Sequence, residues 1–378
     1  MKNRQLVVLA LCLGLVLGVF LSVGFAIQKD QKDKDKKEGK PEEKIFIPKE
    51  IKAVLEQGLA ARQPRLDIPF TIFKQYYLPA QNAIHSIFFF KAKNVDLGFA
   101  PAPQSPAPAL AQTEKEKEAQ AAPEAQAQPV QLEARFNVFL QFLLEENNAP
   151  PKISREAFVP AAIQADSASY DPEKEEWYTV GYTLLPGKYI LAMAITSLDL
   201  KKIGTFYYEF SLPDSRAFTQ SLDTTPIFFV KQITKLEAPE TRALVHKGFF
   251  TYSVLQMDPN LDNVFKAGDN LDIFFFIFGA KPIEAKPGEQ PQQPQYNIEV
   301  SYEVKQGDKA AVRYEPALYS FPLISHALPM KQTVLIKTDK EEKREQRDLA
   351  AGKYTLSLKI TDKVSGLTID KAIDFEVK

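Results

Sequence analysis

Alternation of apolar and polar residues defines the clearest segments of this chain. Runs at 354–360 and 369–377 carry apolar side chains at alternate positions and are separated by a Ser-Gly turn signal. Residues 136–144 and 296–304 show a similar period. A period of two is typical of a β-strand with one buried face, and two such strands joined by a turn form a hairpin. Because the apolar faces must pack against another sheet, the pattern predicts an all-β fold of the sandwich type.

The chain also repeats part of itself. Residues 184–196 align without a gap on residues 349–361, and the register holds as far as Phe210 and Phe375. Repetition at a fixed offset indicates a duplicated unit, and a unit of this length is an ordinary domain. The shared pattern is Leu-x-x-Gly-x-Tyr, which is formed by Leu184, Gly187, Tyr189, Leu349, Gly352 and Tyr354.

This pattern resembles the corner of immunoglobulin-like and fibronectin-like sandwiches, where a tyrosine opens a late strand and its hydroxyl bonds back to the preceding loop. We therefore expect two tandem Ig-like or fibronectin-like β-sandwich domains that arose by internal duplication. Domain 1 is predicted at 46–213 and domain 2 at 214–378. A short N-terminal helix is predicted within 48–62, where apolar residues recur at helical spacing after Pro48. It would pack on domain 1 or bind a partner.

Each predicted domain contains a triple-phenylalanine strand, then a loop rich in proline and glutamine, then an alternating strand. The loops are expected at 100–131 and 281–295, because their low-complexity composition has no periodicity and too little apolar mass to pack. The triplets at 88–90 and 274–276 place rings on both faces of a strand. This predicts strands that are covered on both sides, with an exposed docking patch as the alternative.

An almost unbroken apolar run at 6–27 follows two basic residues. Small residues ending at Ala26 suit a signal peptidase, so residues 1–26 are predicted to be a signal peptide. The run is also long enough to remain as an N-terminal membrane anchor, since about 20 apolar residues span a bilayer. Both interpretations place the rest of the chain outside the cytoplasm, in the periplasm or at the cell surface. Residues 27–45 are predicted to be a charged, disordered tether.

The remaining composition argues against several kinds of chemistry. The formal net charge is −1 with no large basic patch, so nucleic acid is not an expected partner. Cys12 is the sole cysteine and lies within the apolar run. The histidines, His85, His246 and His326, are far apart and show no metal-ligand spacing. No nucleophile elbow, phosphate loop or dinucleotide fingerprint occurs, so we predict a protein that is not an enzyme and needs no cofactor.

One segment resembles a calcium loop. Asp258, Asn260, Asp262 and Asp269 occupy positions 1, 3, 5 and 12 of such a pattern. Asn263 stands where a glycine normally makes the sharp turn, and the flanking segments read as strands rather than helices. Because Asp, Asn and Pro also form turns, a polar loop between strands explains the same residues. These four residues are therefore a weak calcium candidate, and no metal site is predicted.

The layout of residues 180–378 resembles secreted bacterial proteins of uncharacterised role that accompany GWxTD domains. The similar stretches are those at 225–229, 267–271 and 351–362. The Gly-Trp-x-Thr-Asp motif itself is absent, and the sole tryptophan is Trp177. The resemblance implies a tandem β-sandwich architecture and a secreted location, and it carries over no functional residues.

These observations predict a non-catalytic exported protein of the cell envelope that acts as a structural or protein-interaction module. Its partners would be envelope proteins. One alternative is a polysaccharide-binding module that uses exposed tyrosines and Trp177. The other alternative is a hydrolase whose site is assembled from residues scattered along the chain.

Overall fold

The computed structural model describes residues 47–378, apart from 82, 103–130, 147–148, 215–216, 285–293 and 338–341. This part of the chain is mostly β, as the alternation predicts, and contains three short helices. The predicted signal or anchor, the tether at 27–45 and most of both Pro/Gln-rich loops lie outside the described residues. Within the described residues, no helix combines the length and apolar character needed to cross a membrane.

The elements are numbered in chain order. The helices are α1 (Lys49–Ala61), α2 (Asn94–Leu97) and α3 (Ala217–Gln220). The strands up to residue 212 are β1 (Phe70–Ala80), β2 (Ala83–Lys93), β3 (Ala100–Pro101), β4 (Gln131–Glu145), β5 (Lys152–Asp166), β6 (Glu175–Leu184), β7 (Gly187–Thr196) and β8 (Ile203–Leu212). The later strands are β9 (Asp223–Thr224), β10 (Phe228–Lys235), β11 (Val245–Lys247), β12 (Phe250–Tyr252), β13 (Leu255–Pro259), β14 (Val264–Phe265), β15 (Asn270–Phe278), β16 (Ile298–Gln306), β17 (Lys309–Arg313), β18 (Ala317–Tyr319), β19 (Leu323–Pro329), β20 (Lys331–Lys337), β21 (Glu342–Asp348), β22 (Gly352–Asp362) and β23 (Thr368–Val377).

Two antiparallel sheets form what we call the first module. One sheet has the order β1-β2-β6-β11, and in the other β4 lies between β5 and β7, with β8 at the edge and β3 beside β4. The sheets bury their facing apolar side chains in a first core, as expected for packed β-layers. Its large members include Phe88, Phe90, Phe136, Phe142, Tyr178 and Tyr189.

The second module is built in a similar way. One sheet has the order β12-β13-β10-β15-β19, with β9 beside β15, and the other has the order β14-β23-β22-β16-β17, with β18 beside β16. The hairpin of β20 and β21 forms a separate two-stranded sheet. The second core lies between the two larger sheets and includes Phe229, Phe275, Tyr302, Leu328, Tyr354 and Phe375.

Helix α1 covers the outer face of β4, β7 and β8, where Ile51 and Leu55 are buried. The two strands aligned by the repeat differ for this reason. Outward positions on β7 are apolar and buried, whereas the aligned positions on β22 are polar and at least partly exposed. The aligned pairs are Ile190 with Thr355, Ala192 with Ser357, and Ala194 with Lys359. The continuous apolar run on β7 thus reflects an outer face that is covered by a helix. The alternation on β22 reflects an outer face that meets water.

A third apolar cluster joins the modules, and we call it the junction core. On β2, the Phe89 side chain points to the face opposite that of Phe88. On β15, Phe274 and Phe276 point to the face opposite that of Phe275. Both triplets are buried on both faces, which confirms the prediction of strands covered on both sides. The junction core contains Tyr76, Leu78, Ile87, Phe89, Phe228, Val230, Phe250, Tyr252, Val254, Leu255, Met257, Phe274 and Phe276.

A short strand also crosses between the modules. Residues 245–247 follow the predicted boundary between 213 and 214, yet they form β11 at the edge of the first module's sheet, antiparallel to β6. The chain then returns through β12 and β13 to the second module. This excursion places the segment 236–254 across the outer face of β2 and β6.

Candidate functional site

A cleft of about 530 Å³ lies where this crossing segment meets the first module. Its floor is the outer face of β2 and β6, represented by His85, Thr183 and Gly181. Its walls are the loop 239–244 and the turn after β12. A cleft of this size is within the range used for small ligands or single side-chain anchors.

The position of His85 follows from the period of the strand. Ile84 and Phe88 point into the first core, so His85 points outward with Ile87. Gly181 lies beside it on β6, and a Cβ atom there would be 2.7 Å from the His85 Nε2 atom. The His85 ring therefore occupies space that any larger residue at 181 would fill.

His85 links the first module to the crossing segment. Its Nδ1 atom lies 3.3 Å from the Thr183 hydroxyl oxygen, and the ring also hydrogen-bonds the backbone of Thr251 on β12. Burial lowers the pKa of His85 to about 4, against the weaker opposing effect of the bond to Thr251. The ring is therefore neutral at pH 7.

Glu240 fixes the loop that forms one wall of the cleft. Its Oε2 atom lies 3.0 Å from the His246 Nε2 atom on β11 and accepts a hydrogen bond of 2.7 Å from the Thr251 hydroxyl. The His246 ring also packs against Phe249. In nucleophilic catalysis the hydroxyl would bond to the imidazole, but here both groups bond to one carboxylate oxygen. The arrangement therefore orients the loop and is not a nucleophile–base pair.

Two polar groups of the cleft have no partner among the described residues. The Ser253 hydroxyl oxygen is buried without a hydrogen bond, and Ser253 has a left-handed backbone with a φ of 54°. Such non-glycine conformations cost free energy and persist where the surroundings enforce them. Arg242, on the exposed wall, forms no ion pair within the part of the chain that the structure describes. Both residues line the cleft, but the Arg242 side chain is exposed whereas the Ser253 hydroxyl oxygen is closed off from solvent.

The structure brings two of the three histidines together. His85 and His246 line the same cleft, although the sequence gives them no common motif. His326 lies in the second module, where its ring stacks on Tyr302 at 5.2 Å and its Nδ1 atom is 3.0 Å from the Tyr319 hydroxyl. Burial lowers the pKa of His326. The sequence did not predict that these two histidines share a cleft, because this depends on the pairing of β6 with β11. No local spacing encodes a contact between strands that are distant in sequence.

The four calcium candidates have separate roles in the structure. The Asn260 side-chain amide donates to the Val264 carbonyl at 2.9 Å, and the Asp269 carboxylate accepts from the Lys266 backbone N–H at 2.8 Å. Burial raises the pKa of Asp258, which lies on β13. Asp262 lies in the turn that follows. Across the described ranges, no group of three or more His, Cys, Asp or Glu side chains is arranged to hold a metal ion.

The two tyrosines of the repeat make the same contact. The Tyr189 hydroxyl donates to the Leu185 carbonyl at 3.0 Å, and the Tyr354 hydroxyl donates to the Ala350 carbonyl at 2.9 Å. Each ring stacks at 5.5 Å on a phenylalanine of the next strand. Those partner rings are Phe210 and Phe375. Each tyrosine thus ties the start of its strand to the loop before it.

The glycine and leucine of the repeat support these corners. Gly187 and Gly352 have φ values of 154° and 157°, which glycine adopts more readily than other residues. A Cβ atom at Gly187 would lie 2.7 Å from the Leu144 side chain. Leu184 and Leu349 are both buried. The corner therefore favours glycine at the first position of the strand.

Replacing Tyr189 or Tyr354 by phenylalanine is expected to lower the free energy of unfolding by about 1 kcal/mol each, because one hydrogen bond is lost while the ring stays. The losses should add to within about 0.5 kcal/mol in the double variant, since the corners lie in different cores. Urea unfolding measures this. Tyr208→Phe is the matched control, because its hydroxyl bonds to no described residue. Unchanged stability in both single variants would contradict the role assigned to the corners.

Trp177 does not form an exposed sugar platform. It is partly buried, and its ring lies 5.9 Å from Phe89 at the rim of the junction core. The side chain on which the polysaccharide alternative depends is therefore engaged in packing.

The fold places this chain among mostly β proteins built from packed, largely antiparallel sheets. In comparisons with known proteins, no protein-family model matches the chain and no curated protein matches it. The functional argument therefore depends on the geometry of the modules, the junction core and the cleft.

Proposed function

We propose that this chain is an exported, non-catalytic protein of the bacterial cell envelope that binds other envelope proteins. Two fibronectin-like β-sandwich modules, related by internal duplication, would act together as one rigid interaction unit. The periplasm or the cell surface is the proposed location, which rests on the apolar run at 6–27 and the basic residues before it.

The order of strands supports the proposed duplication. In the first module β1, β2 and β6 face β5, β4, β7 and β8, and in the second module β10, β15 and β19 face β17, β16, β22 and β23. Taken in chain order, these seven strands distribute between the two sheets in the same way in both modules. Three strands facing four, with a tyrosine at the start of the sixth strand, is the arrangement of fibronectin-like sandwiches.

The observation that carries the functional proposal is the junction core. Apolar outer faces on β2 and β15 would be exposed if the modules were separate, and here both belong to one cluster, which is bridged by the Tyr76–Phe228 stack at 4.7 Å and by Phe250 against Phe89. Burial of several large rings contributes roughly 25 cal/mol per Å² of apolar surface, enough to hold two modules in one orientation. Surfaces on both modules are then presented in a fixed geometry, which lowers the entropic cost of binding a partner.

The chemistry of the cleft favours binding over catalysis. Glu240, His246 and Thr251 hold a loop in place, and His85 is neutral at pH 7 and hydrogen-bonded on both sides of the cleft. Arg242 is exposed on the wall of the cleft and forms no ion pair among the described residues. The proposed role therefore needs no cofactor and no reaction.

Crosslinking in intact cells, followed by capture of the full-length chain and mass spectrometry, tests this function. We expect one or two envelope proteins at near-stoichiometric levels. The Tyr208→Phe chain should capture the same proteins, which controls for variation between preparations. Retention of envelope polysaccharide without any protein would overturn the proposal and favour the polysaccharide alternative.

A further inference from the structure

The crossing segment is a loop of the second module whose middle part docks on the first module. Its ends are joined by the hydrogen bond from the Leu236 N–H to the Val254 carbonyl at 2.8 Å, and β12 pairs with β13 of the second module. On the first module it is held by the three-residue strand β11 against β6 and by the Gly248 N–H on the Trp177 carbonyl at 3.3 Å. Because few hydrogen bonds hold it there, this contact can open without unfolding either module.

His85 lies beneath the docked part of the crossing segment. Its ring bonds the Thr183 hydroxyl of its own module and the backbone of Thr251 on the crossing segment. On the floor, a Cβ atom at Gly181 would lie 2.7 Å from the ring, so the ring fills the space above that glycine. The imidazole is therefore enclosed between two elements that separate when the crossing segment leaves the first module.

The surroundings of His85 supply no counter-ion for a protonated ring. The other titratable or charged side chains of the described lining are Tyr182, Glu240, Arg242, His246 and Tyr252, and β1 contributes none. The Glu240 carboxylate is engaged by His246 and by the Thr251 hydroxyl. Burial raises the pKa of both phenols, which therefore stay neutral, and Arg242 adds a positive charge. A proton on His85 is thus an enclosed, unpaired charge, which costs free energy until the ring meets water.

We infer that acid releases the crossing segment from the first module while both modules remain folded, and that His85 is the group that binds the proton. The second module keeps hold of the segment through β13, and each module keeps its own core, so the response is a local opening. Phe250 and Tyr252 of the junction core lie on the segment. Release is therefore rare at neutral pH, and it also loosens the coupling between the modules. This goes beyond the proposed function, because it makes the fixed orientation of the modules depend on pH.

The size of the response follows from proton binding in the closed and open states. Burial holds the pKa of His85 at about 4 in the closed state, whereas a histidine in water titrates near 6.5. The open state therefore binds the proton first as the pH falls. Opening should become about 60-fold more frequent between pH 7 and pH 4.5. Since one proton is involved, the change approaches about tenfold per pH unit between the two pKa values.

Amide hydrogen exchange of the full-length chain, followed by mass spectrometry, tests the inference. The reporters are peptides that cover β11 and Gly248, whose backbone pairs with the first module. After correction for intrinsic exchange rates, their protection factors should fall about 60-fold between pH 7 and pH 4.5. At pH 4.5 they should be at least about tenfold lower than those of β22, as expected for a local opening. The fall should largely disappear in His85→Gln. The matched control is His246→Gln, a histidine of the same cleft, which should respond as the unaltered chain does.

Several outcomes would overturn the inference. These are unchanged protection of the reporters on acidification, or an equal fall in His85→Gln. Equal protection of the reporters and of β22 at pH 4.5 would indicate global unfolding and also overturn it. A fall that persists in His85→Gln but is lost in His246→Gln would assign the response to the pair of His246 and Glu240 instead. A pH series on the unaltered chain needs no variant, and a flat profile between pH 6.5 and pH 4 would contradict release by a single proton.

Discussion

Replacing Phe89 by alanine is expected to lower the free energy of unfolding by about 3–5 kcal/mol and to uncouple the two modules. The ring contacts Tyr76, Trp177 and Phe250 in the junction core, and its removal leaves a cavity between the modules. Urea unfolding followed at two probes, one in each module, measures the effect. The unaltered chain should unfold in one transition and the variant in two.

Phe88→Ala is the matched control for this experiment. Phe88 is adjacent in sequence and equally buried, but its ring lies in the first core. Removal of the Phe88 ring should lower the free energy of unfolding by a similar amount. The first module should then unfold at a lower urea concentration, while the junction core stays intact. Equal behaviour of the two variants, with one shared transition in both, would show that the junction core does not couple the modules.

Acidification is expected to destabilise the protein by about 3 kcal/mol between pH 6.5 and pH 4 through His85 alone. Burial holds the pKa of His85 at about 4 in the folded chain, whereas an unfolded histidine titrates near 6.5. Between these values the unfolded chain binds the proton and the folded chain does not, so stability falls as pH falls. This loss of stability is nearly complete at pH 4 and small above pH 6.5.

The comparison with His85→Gln isolates this contribution. The variant should lose the histidine-dependent part of the pH profile, measured by urea unfolding at several pH values, while the carboxylates keep theirs. An NMR titration of the His85 ring should give a pKa near 4 in the folded chain. A pKa near 6.5, or a pH profile unchanged in His85→Gln, would contradict the partly buried, desolvated position assigned to this ring.

Much of the fold follows from sequence patterns because the relevant physics is local. Alternation at 354–360 and 369–377 predicts β22 and β23, since each second residue must face the same way. The apolar run of β7 and the helical apolar spacing of α1 each predict burial. Neither pattern predicts that α1 covers the outer face of β7. That pairing depends on the outer-face residues Ile190, Ala192 and Ala194, whose partner is specified only in three dimensions.

The site was less accessible to sequence reasoning. The triplets at 88–90 and 274–276 predict double coverage, but the fact that both strands contribute to one shared cluster depends on how the modules pack. The cleft depends on β11 joining β6, which brings His246 close to His85 across a large sequence distance. The calcium-like spacing at 258–269 arises from turn chemistry, because Asn260 and Asp269 use their side chains to hold nearby backbone groups.

The most direct test of the central claim, that the two modules form one rigid unit, is a distance distribution between them. With Cys12 replaced by alanine, the chain has no other cysteine, so spin labels can be attached at Lys201→Cys in the first module and Asp370→Cys in the second. Pulsed electron resonance should give one narrow distance distribution, which broadens when Phe89→Ala is added. A distribution that is already broad in the presence of Phe89 would contradict the account.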